Sequence, residues 1–272
     1  MTASDLFHAG RLREAIDAQA AKVKDRPTDR SARFFLFELL LFSGDLDRAR
    51  KQLDVLKYDD PRHTAAVEQY RWALDAEALR RAVFSGTAQP KVLAAAPDHV
   101  RQRLEALPYL ARGEHAEARK RLDEANAALP NLAGTRDGEP FDRLFDADER
   151  FGTVLEVFGT GGVYSWVPLE QVASITLNPP KNPRDVVLRP ASVVLHDGVE
   201  GDVLLPGLYP GTHEHADDEV KLGRATEWVG GAGEVPRGAG GKLFLAGENP
   251  VEFVKWRALA TEKPAAAEPP VP

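Results

Sequence analysis

Hydrophobic residues recur at helical spacing through the first half of the chain. In the segment DLDRARKQLDVLKY the apolar residues fall on one face of a helix: Leu46, Ala49, Leu53 and Leu56. The preceding segment, SARFFLFELLLF, is apolar on nearly every side, which is typical of a helix packed between two layers. Residues 64–84 contain no glycine turn and predict one long helix. The pattern therefore predicts an all-α N-terminal part.

Glycine and proline recur with a fixed spacing in this part. The hexamers GRLREA, GDLDRA and GEHAEA begin at Gly10, Gly44 and Gly113, so the first two are 34 residues apart and the third follows after about two further periods. Each glycine is followed seventeen residues later by a proline. These features are typical of the tetratricopeptide repeat, although chance spacing in an ordinary helical bundle is the alternative. The repeat predicts a short solenoid with a concave face that accepts a peptide.

In the second half the pattern changes to short β-branched runs separated by turn residues. The runs with strand character are 153–158, 163–168, 172–178, 185–190, 191–198, 201–206 and 242–247. Their close spacing predicts an antiparallel sandwich or barrel-like domain over residues 151–260. Asp197 and Gly198 predict a hairpin between two of these runs, because both positions tolerate the positive φ of a type I′ turn.

The connections are predicted from composition. Residues 131–150 are rich in Gly, Asp and Pro and predict a linker with one short helix around residues 141–148. The glycine-rich stretch 229–241 predicts a flexible loop, and residues 261–272 predict a disordered tail. The predicted fold class is α+β, with a tetratricopeptide-like α-helical repeat domain over residues 1–130 followed by the β-rich domain.

Composition and charge narrow the classes of function. The 272 residues include no cysteine, which excludes disulfides, thiolate metal sites and cysteine nucleophiles. The formal net charge is −7 and no basic cluster is present, so a nucleic-acid partner is not expected. The most apolar run, Phe34–Phe42, is too short to cross a bilayer. Since the chain start does not resemble a secretion signal, we expect a cytoplasmic protein without membrane insertion.

The stretch HEHADDE is the strongest candidate for chemistry. His213 and His215 are two residues apart, and on a strand they would point to the same side and could share a metal ion. A metal site needs three or four converging ligands, however, and the following acids are explained more simply as a solvated loop or the start of a helix capped by Asp217 or Asp218. No HExxH motif is present. A polar, structural block is the favoured interpretation.

Other motifs for catalysis are absent or weak. The chain contains neither a GxxxxGK[ST] phosphate loop nor a GxSxG serine motif. Four aromatic residues in the β-rich half either form an interaction surface or belong to its core, and the core is favoured. They are Tyr164, Trp166, Tyr209 and Trp228.

Residues 188–228, LRPASVVLHDGVEGDVLLPGLYPGTHEHADDEVKLGRATEW, resemble the signature block of the ImpE/TagJ family, also called SciE-type virulence proteins. The upstream WVPLEQVASITLNPPKNPRDVVLRP, the later KLFLAGE and the helical start of the chain are similar to the same family. The resemblance therefore covers nearly the whole chain.

The resemblance implies an accessory protein of a type VI secretion system that is cytoplasmic, non-enzymatic and without a cofactor or metal. Some family members bind the N-terminal segment of the small sheath protein TssB and associate with the ATPase ClpV. We therefore expect an adaptor that binds a TssB-type subunit and links it to a ClpV-type ATPase. The expected partner-binding or structural residues are Tyr209, His213, Glu214, His215, Arg224 and Trp228. The alternative is a metal-binding or hydrolytic β domain centred on His213 and His215.

Overall fold

The computed structural model of the protein describes residues 1–92 and 96–263. Nine helices lie in the part of the chain that is described. They are Ala3–His8 (α1), Leu12–Asp25 (α2), Arg30–Phe42 (α3), Leu46–Asp54 (α4), Pro61–Phe84 (α5), Asp98–Ala111 (α6), His115–Ala127 (α7), Arg184–Val187 (α8) and Asp218–Lys221 (α9). The fold is α+β, as predicted.

Within the described residues, one short strand lies between α5 and α6, and the others follow α7. The strands are Lys91–Val92 (β1), Gly134–Arg136 (β2), Glu139–Phe141 (β3), Leu144–Asp146 (β4), Val154–Phe158 (β5), Tyr164–Pro168 (β6), Val172–Leu177 (β7), Leu188–Leu195 (β8), Glu200–Pro206 (β9), Thr226–Val229 (β10), Arg237–Gly240 (β11), Leu243–Ala246 (β12), Asn249–Glu252 (β13) and Ala258–Thr261 (β14).

The helices pack as antiparallel pairs joined by glycine turns, as the repeat spacing predicts. Gly10 joins α1 to α2, Gly44 joins α3 to α4 and Gly113 joins α6 to α7, with φ of 73°, 68° and 73°. This left-handed conformation strains any residue with a Cβ atom, so glycine is favoured at each turn. The single long helix α5 separates the second pair from the third. It begins at Pro61 because the fixed φ of proline suits the first helical position.

The main sheet has nine strands in the order β1-β6-β5-β9-β8-β7-β14-β2-β3. All neighbours are antiparallel except β1 and β6. Strands β1 and β3 form its two edges, so the sheet is open and the barrel-like closure in the prediction is wrong. Strands β4, β12 and β13 form a second small sheet, and β10 pairs with β11. Antiparallel strands can be joined by short turns. The strands therefore appear in the sequence as separate β-branched runs with turn residues between them.

Residues 131–150 are not a linker with a short helix. They form β2, β3 and β4, of which β2 joins the main sheet and β4 the small one. Asp137 and Gly138 make the two-residue turn between β2 and β3, with φ of 52° and 86°. At the predicted hairpin only Gly198 has a positive φ, 89°, so the hairpin between β8 and β9 is confirmed but its type I′ turn is not.

Two further predictions of local structure are wrong in part. The end of the predicted loop 229–241 is a strand, because Arg237–Gly240 (β11) pairs with Thr226–Val229 (β10), and residues 230–236 connect the two. Glycine at position 238 permits close packing, since a Cβ there would overlap the ring of Tyr209. The predicted strand 185–190 starts as the helical turn α8 and becomes β8 at Leu188. In the predicted tail, Thr261 ends β14, and residues 264–272 lie outside the described residues.

The two halves share one hydrophobic core. Buried side chains of α3 and α5 belong to the same apolar cluster as Phe151, Trp166 and Leu208 from the second half. Helix α8 packs on α3, where Arg184 binds Glu38 and donates a hydrogen bond of 2.7 Å to the hydroxyl of Tyr70. The face of the array formed by α3 and α5 is therefore covered by the chain itself. It is not the open, peptide-accepting surface that the repeat predicted.

Candidate functional site

The HEH residues lie in a turn and not on a strand. Gly211, with φ of 81°, leads into a 3-10 turn over Thr212–Glu214. The imidazole of His215 binds Glu227, with 3.2 Å between Nε2 and Oε2, whereas His213 packs against the turn at Gly44. The two rings therefore have different neighbours. The prediction that they point to the same side and could share a metal ion is wrong.

His213 contacts the second glycine turn of the helical array. Its side chain is 21% exposed, and burial followed by the charge of Arg81 lowers its pKa below the ordinary value. Arg81 in turn donates a hydrogen bond of 2.9 Å to the carbonyl of Gly44. A neutral imidazole packed on a glycine turn indicates a structural contact between the two halves.

Replacing Gly44 by alanine should destabilise the protein more than replacing Gly113. Both substitutions place a Cβ at positive φ, which costs about 1–2 kcal/mol. At Gly44 the new methyl group also overlaps the imidazole of His213, whereas at Gly113 nothing lies within 4 Å. The clash should add about 1–3 kcal/mol. Equal losses in urea unfolding for the two variants would contradict this contact, and His213→Ala should recover part of the loss only in the Gly44 variant.

The end of the signature block, residues 218–224, forms hydrogen bonds to the backbone around the glycine turn between α1 and α2. Arg224 donates hydrogen bonds of 2.8 Å to the carbonyl of Phe7 and 3.2 Å to that of His8. Asp218 in α9 accepts a hydrogen bond of 2.9 Å from the backbone N–H of Leu12, the first residue of α2. Asp217 caps α9, as the sequence predicted. Arg224 is thus placed in the contact between the two halves.

Tyr209 belongs to a buried network of charged groups. Its hydroxyl donates to Oδ1 of Asp146 over 2.6 Å. The Lys242 amine lies 3.3 Å from Asp146 and 2.8 Å from Glu156. Glu156 accepts two hydrogen bonds, of 2.7 and 2.8 Å, from the guanidinium of Arg80 in α5. The network therefore ties the long helix to the sheet.

Two branches complete this network. Tyr164 donates to Glu156 over 2.5 Å and accepts from the indole N–H of Trp166 over 2.6 Å. Nearby, Asp148 and Arg150 form a buried ion pair of 2.6 Å. Together the buried groups comprise three carboxylates and three cations. Their formal charges cancel, which limits the cost of burying them.

An open cleft of about 880 Å³ lies between the end of α5 and the β10–β11 hairpin. Its lining draws on both halves of the chain: Arg81, Phe84, Arg150, His213, His215 and Arg237. A smaller pocket of about 280 Å³ shares Phe84, Arg150, Val229 and Arg237 with it. This pocket adds the apolar side chains of Leu107, Leu110 and Val235. The two adjacent depressions share part of their lining and together make a groove that mixes polar and apolar side chains.

The structure places the six predicted site residues in three kinds of surroundings. Tyr209 and Arg224 hold the fold together, and His213 does so while also lining the cleft. Glu214 and His215 line the cleft, and the Glu214 side chain is 79% exposed. Trp228 packs on Tyr209 with ring centroids 6.1 Å apart and remains 45% exposed. Tyr164, Trp166 and Tyr209 are buried, which confirms the core interpretation for three of the four aromatic residues.

Comparison with known proteins decides the family. A family model described as ImpE protein matches residues 138–260, and a tetratricopeptide repeat model matches residues 6–69. The type VI secretion system accessory component TagJ of Pseudomonas aeruginosa is 40% identical over 230 residues, which cover 84% of this chain and 81% of TagJ. The chain belongs to the ImpE/TagJ family. The crystal structure of protein VPA1032 from Vibrio parahaemolyticus has the same fold, with a TM-score of 0.87, 23% identity and coverage of 98% of this chain and 99% of that one.

In this ImpE/TagJ chain the described residues do not assemble a metal site. Across residues 1–92 and 96–263, no group of three or more His, Cys, Asp or Glu side chains is placed to hold a metal ion. Over the same residues no helix has the length and apolar character that crossing a membrane requires.

Sequence reasoning missed the buried network of this family member. One signal was available, because Glu156 stands in the otherwise apolar run TVLEVF, and all five residues of β5 are buried. A carboxylate in such a strand requires a partner. The partner itself was not predictable, since Arg80 lies 76 residues away in sequence.

Glu156 should make stability depend on pH in the acid range. Burial opposes its ionisation, but the charges of Arg80 and Lys242 outweigh burial and lower its pKa from 4.5 to about 2. Its ionised form therefore stabilises the fold above pH 4.5 by about 3 kcal/mol, and this contribution is lost as the pH falls from about 4.5 to about 2. Urea unfolding of Glu156→Gln should show a deficit at pH 7 that shrinks through this window.

Asp146 changes the stability of the fold with pH in the opposite direction to Glu156. Burial raises its pKa to about 6 despite the nearby charge of Lys242. Its ionisation therefore costs stability as the pH rises from about 4 to about 6. A Glu156→Gln deficit that stays constant between pH 2 and pH 7 would contradict the assigned ion pairs.

Proposed function

We propose that this chain is a non-catalytic accessory protein of a type VI secretion system, which binds a TssB-type sheath subunit and links it to a ClpV-type ATPase. The observation that carries the proposal is the 40% identity to TagJ over 84% of the chain. The cytoplasm is the compartment in which such a protein would meet both partners. The geometry supports binding rather than chemistry, because the strongest catalytic candidates, His213 and His215, contact different groups.

The groove at the junction of the two halves is the proposed docking site for the sheath subunit. Its half-buried apolar side chains, Val229 and Leu110, suit the hydrophobic side of an amphipathic segment. Its polar part, with His215 and Arg237, suits the other side of the same segment. The repeat face of α3 and α5 is a poorer candidate, since α8 already covers it.

Binding of a purified TssB-type subunit to the full chain tests both the function and the place. Val229→Asp should weaken binding about tenfold or more by putting a charge into the groove. Val55→Asp is the matched control, because Val55 is 53% exposed and lies at the end of α4 outside the groove. If neither the sheath subunit nor the ATPase binds the wild type, the function is wrong. If the two variants bind equally well, the groove is wrong.

The metal-binding or hydrolytic alternative has a separate test. Dialysis of the wild type against a strong chelator should leave its melting temperature unchanged. A fall of several degrees that zinc reverses in the wild type, but not in a His213→Ala, His215→Ala double variant, would establish that alternative.

A further inference from the structure

Strand β9 leaves part of its edge open in the middle of the main sheet. It pairs with β8 along its whole length, from Glu200 to Pro206. On its other side β5 is in register only at one point, where Phe158 pairs with Leu204. Beyond Phe158 the chain turns away through Gly159, and the first residues of β9 project past the end of β5.

The backbone groups at this open edge point outward. In an antiparallel pair, hydrogen-bonded and non-hydrogen-bonded residue pairs alternate. The N–H of Leu195 donates to the carbonyl of Val199 over 2.7 Å, so the odd-numbered residues of β9 bond to β8. Glu200 and Asp202 therefore direct their N–H and C=O groups away from β8. No strand of the described residues pairs with them there.

A groove of about 370 Å³ runs beside this edge. One wall is Asp202, Val203 and Leu204 of β9. Helix α5 also lines the groove, with Ala65, Ala66, Gln69 and Trp72. The two alanines leave room next to the open edge for another extended chain.

The hairpin at this edge is acidic. Asp197, Glu200 and Asp202 are exposed, and none of them lies within 4 Å of a cationic group in the described part of the chain. Arg62, which also lines the groove, is 90% exposed and lies 2.8 Å from Asp60, so the acids still outnumber the bases at this edge. Opposite charges on facing residues of neighbouring strands stabilise a sheet. The edge therefore favours a strand that carries lysine or arginine.

We propose that the open edge of β9 binds an extended, basic segment of a partner protein as an added antiparallel strand. The added strand would continue the line of β5 and bond to the backbone of Glu200 and Asp202. Basic side chains opposite Glu200 and Asp202 would point to the α5 face, beside Ala65 and Ala66, and the alternate small or apolar side chains would lie on the other face, beside Val203. This surface is separate from the junction groove and gives the chain a second place to hold a partner.

The test uses peptides selected from a random peptide library against the full chain. Selected peptides should alternate basic residues with small or apolar ones. Glu200→Pro should weaken their binding about tenfold or more, because it removes an outward N–H without breaking a bond to β8. Asp202→Lys should weaken it similarly and should favour acidic peptides instead. Glu200→Gln, which keeps the backbone donor, should have a smaller effect than Glu200→Pro.

The outcomes separate this proposal from the proposed function. Melting temperatures of the variants show whether each one is folded, and Asp202→Lys provides a second variant if the proline is not tolerated. Selection of no basic extended peptide, or binding that is unchanged in both Glu200→Pro and Asp202→Lys, would overturn the proposal. Binding of the sheath subunit should be unaffected by Glu200→Pro, so either idea can fail alone.

Discussion

Replacing Arg80 by alanine should lower the free energy of unfolding by about 3–5 kcal/mol at neutral pH. The guanidinium is 4% exposed and forms two hydrogen bonds to Glu156, which is 1% exposed. It also donates a hydrogen bond of 2.8 Å to the carbonyl of Leu208. Removing it leaves the Glu156 carboxylate buried with less compensation, and such a charge is costly. Urea or guanidinium unfolding followed by circular dichroism measures the change.

Arg48 provides the control for the loss of an arginine. It pairs with Asp45 at 3.5 Å on the surface, where its side chain is 47% exposed. Arg48→Ala should therefore cost less than about 1 kcal/mol. If Arg80→Ala costs no more than Arg48→Ala, the buried network does not hold the two halves together as described.

A fragment that ends at residue 130 should not fold into a stable monomer. In the full chain, the apolar cluster around α3 and α5 includes Phe151, Trp166 and Leu208, all of which the fragment lacks. Their removal exposes Leu74, which is 1% exposed in the intact protein, and Phe84, whose ring centroid lies 5.6 Å from that of Phe151. Exposed core surface of this kind favours aggregation or a loosely packed state.

Size-exclusion chromatography and thermal unfolding of the fragment test this expectation. A chain shortened to residues 1–263 is the control, because it retains every contact described here, and it should melt cooperatively as the full chain does. A cooperative, monomeric fragment 1–130 would instead show that the helical half is an independent domain, as the sequence suggested.

Local patterns predicted the local structure well. The helices followed from 3.6-residue periodicity, and the glycine turns at Gly10, Gly44 and Gly113 followed from their common spacing. Six of the fourteen strands in the described residues, β5 to β9 and β12, followed from β-branched runs between turn residues, and the other eight were not predicted. These features depend on neighbours within a few residues, so one sequence suffices to find them.

Contacts distant in sequence were beyond the reach of the same patterns. The predicted linker at residues 131–150 was wrong because Asp137 and Gly138 make a hairpin turn, and Gly134 and Asp146 lie in strands. The loop predicted at 229–241 was wrong at residues 237–240, where Gly238 allows a strand to pack closely on Tyr209. The sequence showed that His213 and Arg224 belong to a special block, but their contacts with turns about 170 and 215 residues earlier emerge only from the tertiary fold.

The contacts between the sheet half and the glycine turns have a mechanical consequence. An array whose repeats touch only their neighbours stretches under load like a spring. Here three parts of the sheet-bearing half contact the first helices. Arg224 binds the turn before α2, His213 packs on the turn before α4, and α8 packs on α3. The first helices therefore cannot slide apart without breaking these attachments. We therefore expect the N-terminal helices to transmit a pulling force with little change in their spacing.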